Sequence, residues 1–519
     1  MRQLSLNTFR FAILISVILL TCESAWKRNL VYGSSSPGTT RIEQYIKQEL
    51  ERGGFPSLSV GIVRGDELVY AKAFGVMDRR GGQPATLNTL YRVGSVGKIF
   101  TAMLLMILRD QGVVRLDDPL AKYLPADVKL PSDPSGSVIT LRNLVTHTSG
   151  LPEWGQGEAQ VYEFPGPDSV TERYRSVIDS RLEFPTGKYF RYSGLGYSLL
   201  GEALERVAGK PYEALLTELV FRPLRMNDTA ITLTADQRSR VPAQYKNDGS
   251  EVLFKPNDPN GTGNRFYWPA GGHYSTVPDL AKFLALQFKA GEPDIKPVTG
   301  STLLEMQTPQ RLQNTWNLAI GMGWWIEPSD ELGEIVWHKG GSPGCSSFIA
   351  FTRRYNLGVI VLANRNKSTE EVGRWLLNEA VKQYGVKKTA SAEEADRLFA
   401  LRAWSDAAWS YRTITERSPQ NGQAWFGLGS SLHSLRKCDQ AIPVLQHALE
   451  LGVRRGEAMY LIGSCYALKD ERRPALEWLQ RAIKEGPKND DLADQLATDA
   501  DLDHLRDDPR FKRLVRLRP

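Results

Sequence analysis

The sequence predicts an α+β domain, an antiparallel sheet flanked by helices beside a helical lobe, followed by an all-α solenoid of short repeats. Three observations lead there. Strand-like segments stand at both ends of the stretch from about 31 to 385, with helical segments between them. A 34-residue period governs the far end of the chain. And 519 residues exceed what a single hydrophobic core ordinarily serves.

Taken in chain order, the first element is a targeting segment. Arg2 and Arg10 precede the apolar run Phe11–Leu20, and the small or polar Thr21, Cys22, Ser24 and Ala25 follow. Charged, apolar, then small is the order of a secretory signal, here assigned to residues 1–25. The apolar run is short for a bilayer span. Leu19-Leu20-Thr21-Cys22 is also similar to a lipoprotein box, although Thr before Cys fits it poorly. Cleavage, lipidation at Cys22 and a retained anchor all remain open. Each implies export to a periplasmic or extracellular place, with a membrane contacted only through this N-terminal anchor.

Ser57–Val63 and Leu68–Phe74 alternate and flank Arg64-Gly65-Asp66, which predicts a hairpin. Ser95 to Gln111 is almost wholly apolar and stops at Gly112, so it reads as one buried helix. Helical stretches and long polar loops fill about 115–275. Ile335–His338, Phe348–Phe351 and Gly358–Ala363 read as three further strands joined by Gly/Pro-rich turns. One sheet built from both ends of this domain, beside a helical lobe, leaves a cleft between them as the natural site.

From about residue 388 the pattern changes. Trp425, Leu428, Gly429, Leu432, Ala441, Leu445 and Ala448 recur 34 positions later as Met459, Ile462, Gly463, Tyr466, Ala475, Leu479 and Ala482. Ala407, Tyr411, Ile414 and Pro419 keep the second half of an earlier copy. This period, with small residues where helices cross, resembles tetratricopeptide repeats. Three units cover residues 388–489, and 490–519 is expected to form a capping helix. Stacked helix pairs present a concave surface, so a protein partner is expected at 388–489.

Composition removes several function classes. The 65 basic and 59 acidic residues are dispersed, so nucleic acid is not implied. Cys22, Cys345, Cys438 and Cys465 have neither disulfide-framework nor zinc-ligand spacing, and the six histidines form no HExxH or HxH pair. No metal or organic cofactor is expected.

The chemistry concentrates in three places. In Tyr91-Arg92-Val93-Gly94-Ser95-Val96-Gly97-Lys98, a helical spacing puts Ser95 and Lys98 on one face. Lysine can take a serine proton only where desolvation or a neighbouring cation lowers its pKa, and the apolar helix supplies desolvation. The spacing alone says little, since Ser24/Lys27 and Ser434/Lys437 share it; only Ser95 opens a buried helix. In Phe190-Arg191-Tyr192-Ser193-Gly194, a tight loop would aim Tyr192 into the cleft, where a phenol could share the proton with Lys98. In His338-Lys339-Gly340-Gly341, His338 ends a strand and the glycines admit substrate close to the backbone. The Gly341 N–H could form an oxyanion hole with that of Ser95. Strand alternation turns Lys339 away from the face that His338 lines.

Ser-x-x-Lys, then Tyr-Ser-x, then His-x-Gly, in this order, resembles the class C β-lactamase, D-alanyl-D-alanine peptidase and family VIII esterase superfamily. Leu144-Val145-Thr146-His147-Thr148-Ser149-Gly150, Pro223 to Thr229, Ala270 to Thr276 and Val361 to Asn364 extend the likeness over nearly all of 40–370. The resemblance implies a β-lactamase/transpeptidase-like fold and acylation of Ser95 by a small-molecule or peptide substrate. Lys98 and Tyr192 would move protons, and His338, Gly340 and Gly341 would line the substrate site. Two departures bear on the activity. Gly194 stands where the lactamases and peptidases carry Asn, and His338 where the third motif commonly has Lys. Both argue for an esterase or unusual peptidase over an efficient β-lactamase. The rival is an inactive penicillin-binding-like receptor acting through its repeats.

Overall fold

The computed structural model describes residues 37–126, 128–154, 174, 180–252, 265–293, 295–312, 318–386, 390–485 and 491–516. The targeting segment with Cys22, most of the loop after Trp154, and residues 253–264 lie outside the described residues. No described helix is long and apolar enough to cross a membrane. The chain divides into two compact units, one of them holding residues 1–303, 337–351 and 356–386.

In that unit, α1 (Pro37–Gly53) precedes the hairpin β1 (Ser57–Arg64) and β2 (Glu67–Gly75). Gly65 makes the turn in a left-handed conformation, φ +58°. β1 also pairs antiparallel with β10 (Leu357–Ala363), Val60 opposite Val361, so the start and end of this domain share one sheet. The order continues β2-β1-β10-β9-β8, with β9 at Cys345–Thr352 and β8 at Gly333–Ser342. All of β10 and nearly all of β1 are buried, because α4 (Val277–Gln287) and α5 (Glu370–Tyr384) pack on them. In β10 a continuous Val/Ile/Leu run therefore appears where a one-sided sheet would alternate.

The helical lobe centres on α2 (Gly97–Asp110), buried from Gly97 through Leu108, and on α3 (Gly194–Ala208). A short ladder of β3 (Tyr91–Arg92) with β4 (Tyr274–Ser275) leads into α2. Ser95 does not begin the α-helix as expected. It sits in a 3-10 turn, Gly94–Val96, and α2 starts two residues later. The reason is a close approach: Gly94 adopts φ +51°, and a Cβ there would lie 2.8 Å from the Gly341 amide nitrogen.

The second unit holds residues 304–336, 352–355 and 387–519. It contains a meander unforeseen in the sequence, β5 (Arg311–Leu312), β6 (Ala319–Ile320) and β7 (Trp325–Ser329). It also contains the solenoid: α6 (Ala392–Ala400), α7 (Trp404–Arg417), α8 (Gly422–Ser434), α9 (Cys438–Glu450), α10 (Arg455–Leu468) and α11 (Arg472–Glu485). The period is visible in the packing. A Cβ on Gly429 would meet Leu445 at 2.5 Å, and a Cβ on Gly463 would meet Leu479 at 2.8 Å. Each glycine thus lets a helix pair approach at the same slot of successive repeats. The tail is not one capping helix but α12 (Asp491–Thr498), a 3-10 segment (Ala500–Leu505) and α13 (Pro509–Arg516). The Asp499 side chain accepts from the Asp501 amide to start the 3-10 segment, and Pro509 opens α13, so the chain restarts twice. A cavity of about 420 Å³ on the solenoid is lined by Arg412, Thr415, Trp425, Leu428, Leu432 and Val444.

Candidate active site

Ser95, half-buried, is the least enclosed residue of the stretch Tyr91–Phe100. Lys98 reaches back along the turn, its Nζ 3.2 Å from Ser95 Oγ. The same ammonium donates to the Ala270 carbonyl at 2.6 Å. Lys98 has no solvent exposure, and burial pushes its pKa down from 10.5 to about 7, with Glu153 opposing. No carboxylate forms a salt bridge with it among the described residues. The apolar helix dictated by the sequence therefore lowers the basicity threshold at this nitrogen, as desolvation should.

Tyr192 comes from the loop that enters α3. Its ring centroid is 4.9 Å from Lys98 Nζ. His147, which carried no role in the sequence reading, holds this loop on both sides of Tyr192. The amide of Arg191 donates to the His147 carbonyl at 2.8 Å, and the amide of Ser193 donates to His147 Nδ1 at 3.0 Å. The imidazole lies 4.5 Å from the Tyr192 ring, tilted 33°. His147 thus grips both peptide neighbours of Tyr192 and its ring. Accepting at Nδ1 requires a neutral imidazole with its proton on Nε2. Burial, with the Lys98 charge adding to it, holds the His147 pKa well below the usual histidine range.

On β8, His338, Gly340 and Ser342 are buried while Lys339 and Gly341 face out. Lys339 pairs with Glu370 at 2.8 Å. His338 Nδ1 lies 2.7 Å from the Lys339 carbonyl. A carbonyl only accepts, so Nδ1 carries the proton and Nε2 is left as an acceptor. Burial and then the Lys98 charge push the His338 pKa down to about 3, so the ring is neutral. Gly340 presses its backbone on the nucleophile turn: a Cβ there would lie 2.0 Å from the Val93 carbonyl and 3.0 Å from the Ser95 amide nitrogen. Ser347 Oγ donates to that same Val93 carbonyl at 2.6 Å.

Behind α2, His273 is fully buried, and its carbonyl accepts from the Val93 amide at 2.9 Å. Thr101 donates to the Pro269 carbonyl at 2.7 Å. These bonds fix the segment that presents the Ala270 carbonyl to Lys98.

The structure therefore gathers every predicted site residue, Ser95, Lys98, Tyr192, His338, Gly340 and Gly341, around one turn. It adds His147, Trp154 and the Ala270 carbonyl. His147 and Ala270 lay in stretches quoted only for their likeness; Trp154, its ring centroid 6.0 Å from Lys98 Nζ, had no chemical signature in the sequence.

A serine beside a buried lysine, against an inner strand of an antiparallel sheet, is an arrangement that suits a serine hydrolase. The chain belongs to the β-lactamase family, whose model matches residues 42–382, and tetratricopeptide repeats match residues 393–437 and 432–490. It is 27% identical over 344 residues to the D-alanyl-D-alanine-carboxypeptidase/endopeptidase AmpH of Escherichia coli K12, covering 63% of this chain and 84% of that protein. It is 26% identical to the protein flp of Staphylococcus aureus N315, covering 63% of each. Among solved structures, it matches the octameric penicillin-binding protein homologue from Pyrococcus abyssi with a TM-score of 0.57 and 25% identity, over 70% of this chain and 81% of that one. The β-lactamase/D-alanine carboxypeptidase from Yersinia pestis, complexed with citrate, matches with a TM-score of 0.55 and 26% identity, over 67% of this chain and all of that one.

Proposed function

We propose that this chain is an exported serine hydrolase that cleaves an ester or amide through an acyl-enzyme on Ser95. The observation that carries the reading is Lys98, fully buried, 3.2 Å from Ser95 Oγ and poised to lose its proton near neutral pH. A lysine so held is a free amine for part of the time at pH 7, which a serine nucleophile needs and a structural lysine does not.

In this mechanism Lys98, assisted by Tyr192, takes the Ser95 proton as Oγ attacks the carbonyl carbon. The tetrahedral oxyanion rests on the amides of Ser95 and Gly341. Tyr192 then passes the proton to the departing alkoxide or amine, the carbonyl re-forms and the leaving group departs. Water attacks the acyl-enzyme, gives a proton to the same base pair and releases the acid, returning Ser95 to its starting state.

The neutral His338 favours an ester or an unusual peptide over a β-lactam. A substrate carboxylate meets an acceptor nitrogen there, not an ammonium, and so lacks its ion-pair anchor. The repeats fit a protein partner, with the cavity at Trp425, Leu428 and Val444 as its apolar seat. Labelling with a fluorophosphonate or a fluorescent penicillin tests the central step: wild type should label and Ser95→Ala should not. Equal labelling of the two would sink the proposal. A panel of p-nitrophenyl esters, nitrocefin and D-Ala-D-Ala peptides then assigns the substrate.

A further inference from the structure

The third slot of the second motif carries no side chain, yet its space is filled. A Cβ built on Gly194 would lie 2.4 Å from the six-membered ring of Trp154. The indole therefore occupies the volume into which any larger residue at 194 would project. It is tied to that position from its own backbone: the Glu153 carbonyl accepts from the amides of Gly194 and Leu195, at 2.8 and 3.0 Å. Tyr267, buried, meets the indole edge-on at 5.9 Å. On the other side, the indole centroid is 6.0 Å from Lys98 Nζ, with the Tyr192 ring at 4.9 Å from the same nitrogen. Trp154 is half-buried, so part of its surface remains open to solvent.

We propose that Trp154 is the specificity-determining residue of this site and selects substrates whose acyl group carries an alkyl or aryl substituent over those with an acylamino group beside the scissile carbonyl. The inference rests on the reading that Ser95 is acylated. A side chain at 194 able to pair with an amide is absent, and the indole that replaces it offers an apolar face. An acylamino group against that face loses its water-facing hydrogen bonds without replacement, whereas an alkyl or aryl group loses only contact with water. The exchange is sterically linked: a carboxamide at 194 would require the indole of Trp154 to move.

The test uses the full chain with Trp154→Phe and Trp154→Gln, the first keeping an aromatic face and the second a polar group of similar reach. The readout is the ratio of kcat/KM for p-nitrophenyl hexanoate to that for p-nitrophenyl N-acetylglycinate, with fluorophosphonate labelling of Ser95 as the check that the nucleophile is intact. Wild type should favour the hexanoate, Trp154→Phe should keep the ratio within about threefold, and Trp154→Gln should lower it about tenfold or more. The same ratio in all three proteins, with labelling intact, overturns the assignment of Trp154 and leaves the Ser95 reading standing. Labelling of Ser95→Ala equal to wild type removes the acyl-enzyme and the Trp154 assignment with it.

Discussion

Lys98 is where stability and chemistry oppose each other. Folding lowers its pKa from 10.5 to about 7. Between those values the unfolded chain holds a proton that the folded chain lacks, so stability climbs as pH rises through the window. Below pH 7 both states are protonated and the full cost of burying the charge is felt, at most about 5 kcal/mol. Lys98→Met should therefore raise the unfolding midpoint more at pH 6 than at pH 9, measured by thermal melting in both buffers. A gain independent of pH would contradict a charged, buried Lys98. The same depression predicts that acylation of Ser95 accelerates as pH rises through about 7. Lys98→Arg, which cannot deprotonate, should lose about 10³-fold in labelling rate. At this scale the sequence was informative only in combination. Ser95 and Lys98 share their spacing with two other pairs, and the apolar run after Ser95 singled them out. The state of His338 was not legible, because the carbonyl that fixes its proton belongs to the adjacent peptide and its burial comes from distant elements.

At the scale of elements, the site is a meeting of three chain segments that must approach within hydrogen-bond distance. β8 passes against the 3-10 turn of Ser95 through Gly340, where a methyl group would collide with the Val93 carbonyl. Gly340→Ala should keep the fold but move the Ser95 turn, lowering kcat about 10²-fold. Near-UV circular dichroism should match wild type while ester turnover falls; unchanged turnover would mean that the close approach is not needed. The loop of Tyr192 depends on His147 in a similar way. His147→Ala removes the ring contact and the Ser193 amide's acceptor together, and should cost about 10- to 100-fold in kcat with little change in KM. His147→Asn keeps a short acceptor and should recover part of that loss. The strands that carry β8 were legible from Val/Ile runs between glycines. The short strands β5 and β6 were not, since two-residue segments have no period to read, and their pairing comes from the meander itself. The start of α2 was misplaced by two residues for a related reason: Gly94 takes its left-handed turn to fit a strand far along the chain.

For the molecule as a whole, the solenoid is not simply appended after a boundary. Within the second unit, Asp406 of α7 lies 3.4 Å from Arg353 Nε, and its Oδ1 accepts from the Glu334 amide at 3.2 Å. Arg353 also pairs with the Glu334 carboxylate, and Arg354 lies 3.9 Å from Asp406. All four side chains are buried. A cluster of this kind adds little over an apolar core while intact, but removing one member strands the others without water. The sequence indicated a change of pattern near 388, since the helical period begins there. It gave no sign that a residue inside the first repeat completes a charge cluster with Glu334 and the turn after β9, because such pairing has no local periodicity. The consequence bears on how the repeats should be tested. Truncation after Val386 deletes Asp406 along with any binding surface, so lost activity would not by itself assign the repeats a partner. Asp406→Ala in the full chain isolates the structural share, and should cost about 3–5 kcal/mol, read as a lower denaturant midpoint. If the truncated chain and Asp406→Ala lose stability and ester turnover to the same extent, the solenoid acts on the enzyme as a brace. If truncation costs turnover that Asp406→Ala retains, the repeats contribute something beyond that cluster, and the cavity at Trp425 is the surface to alter next.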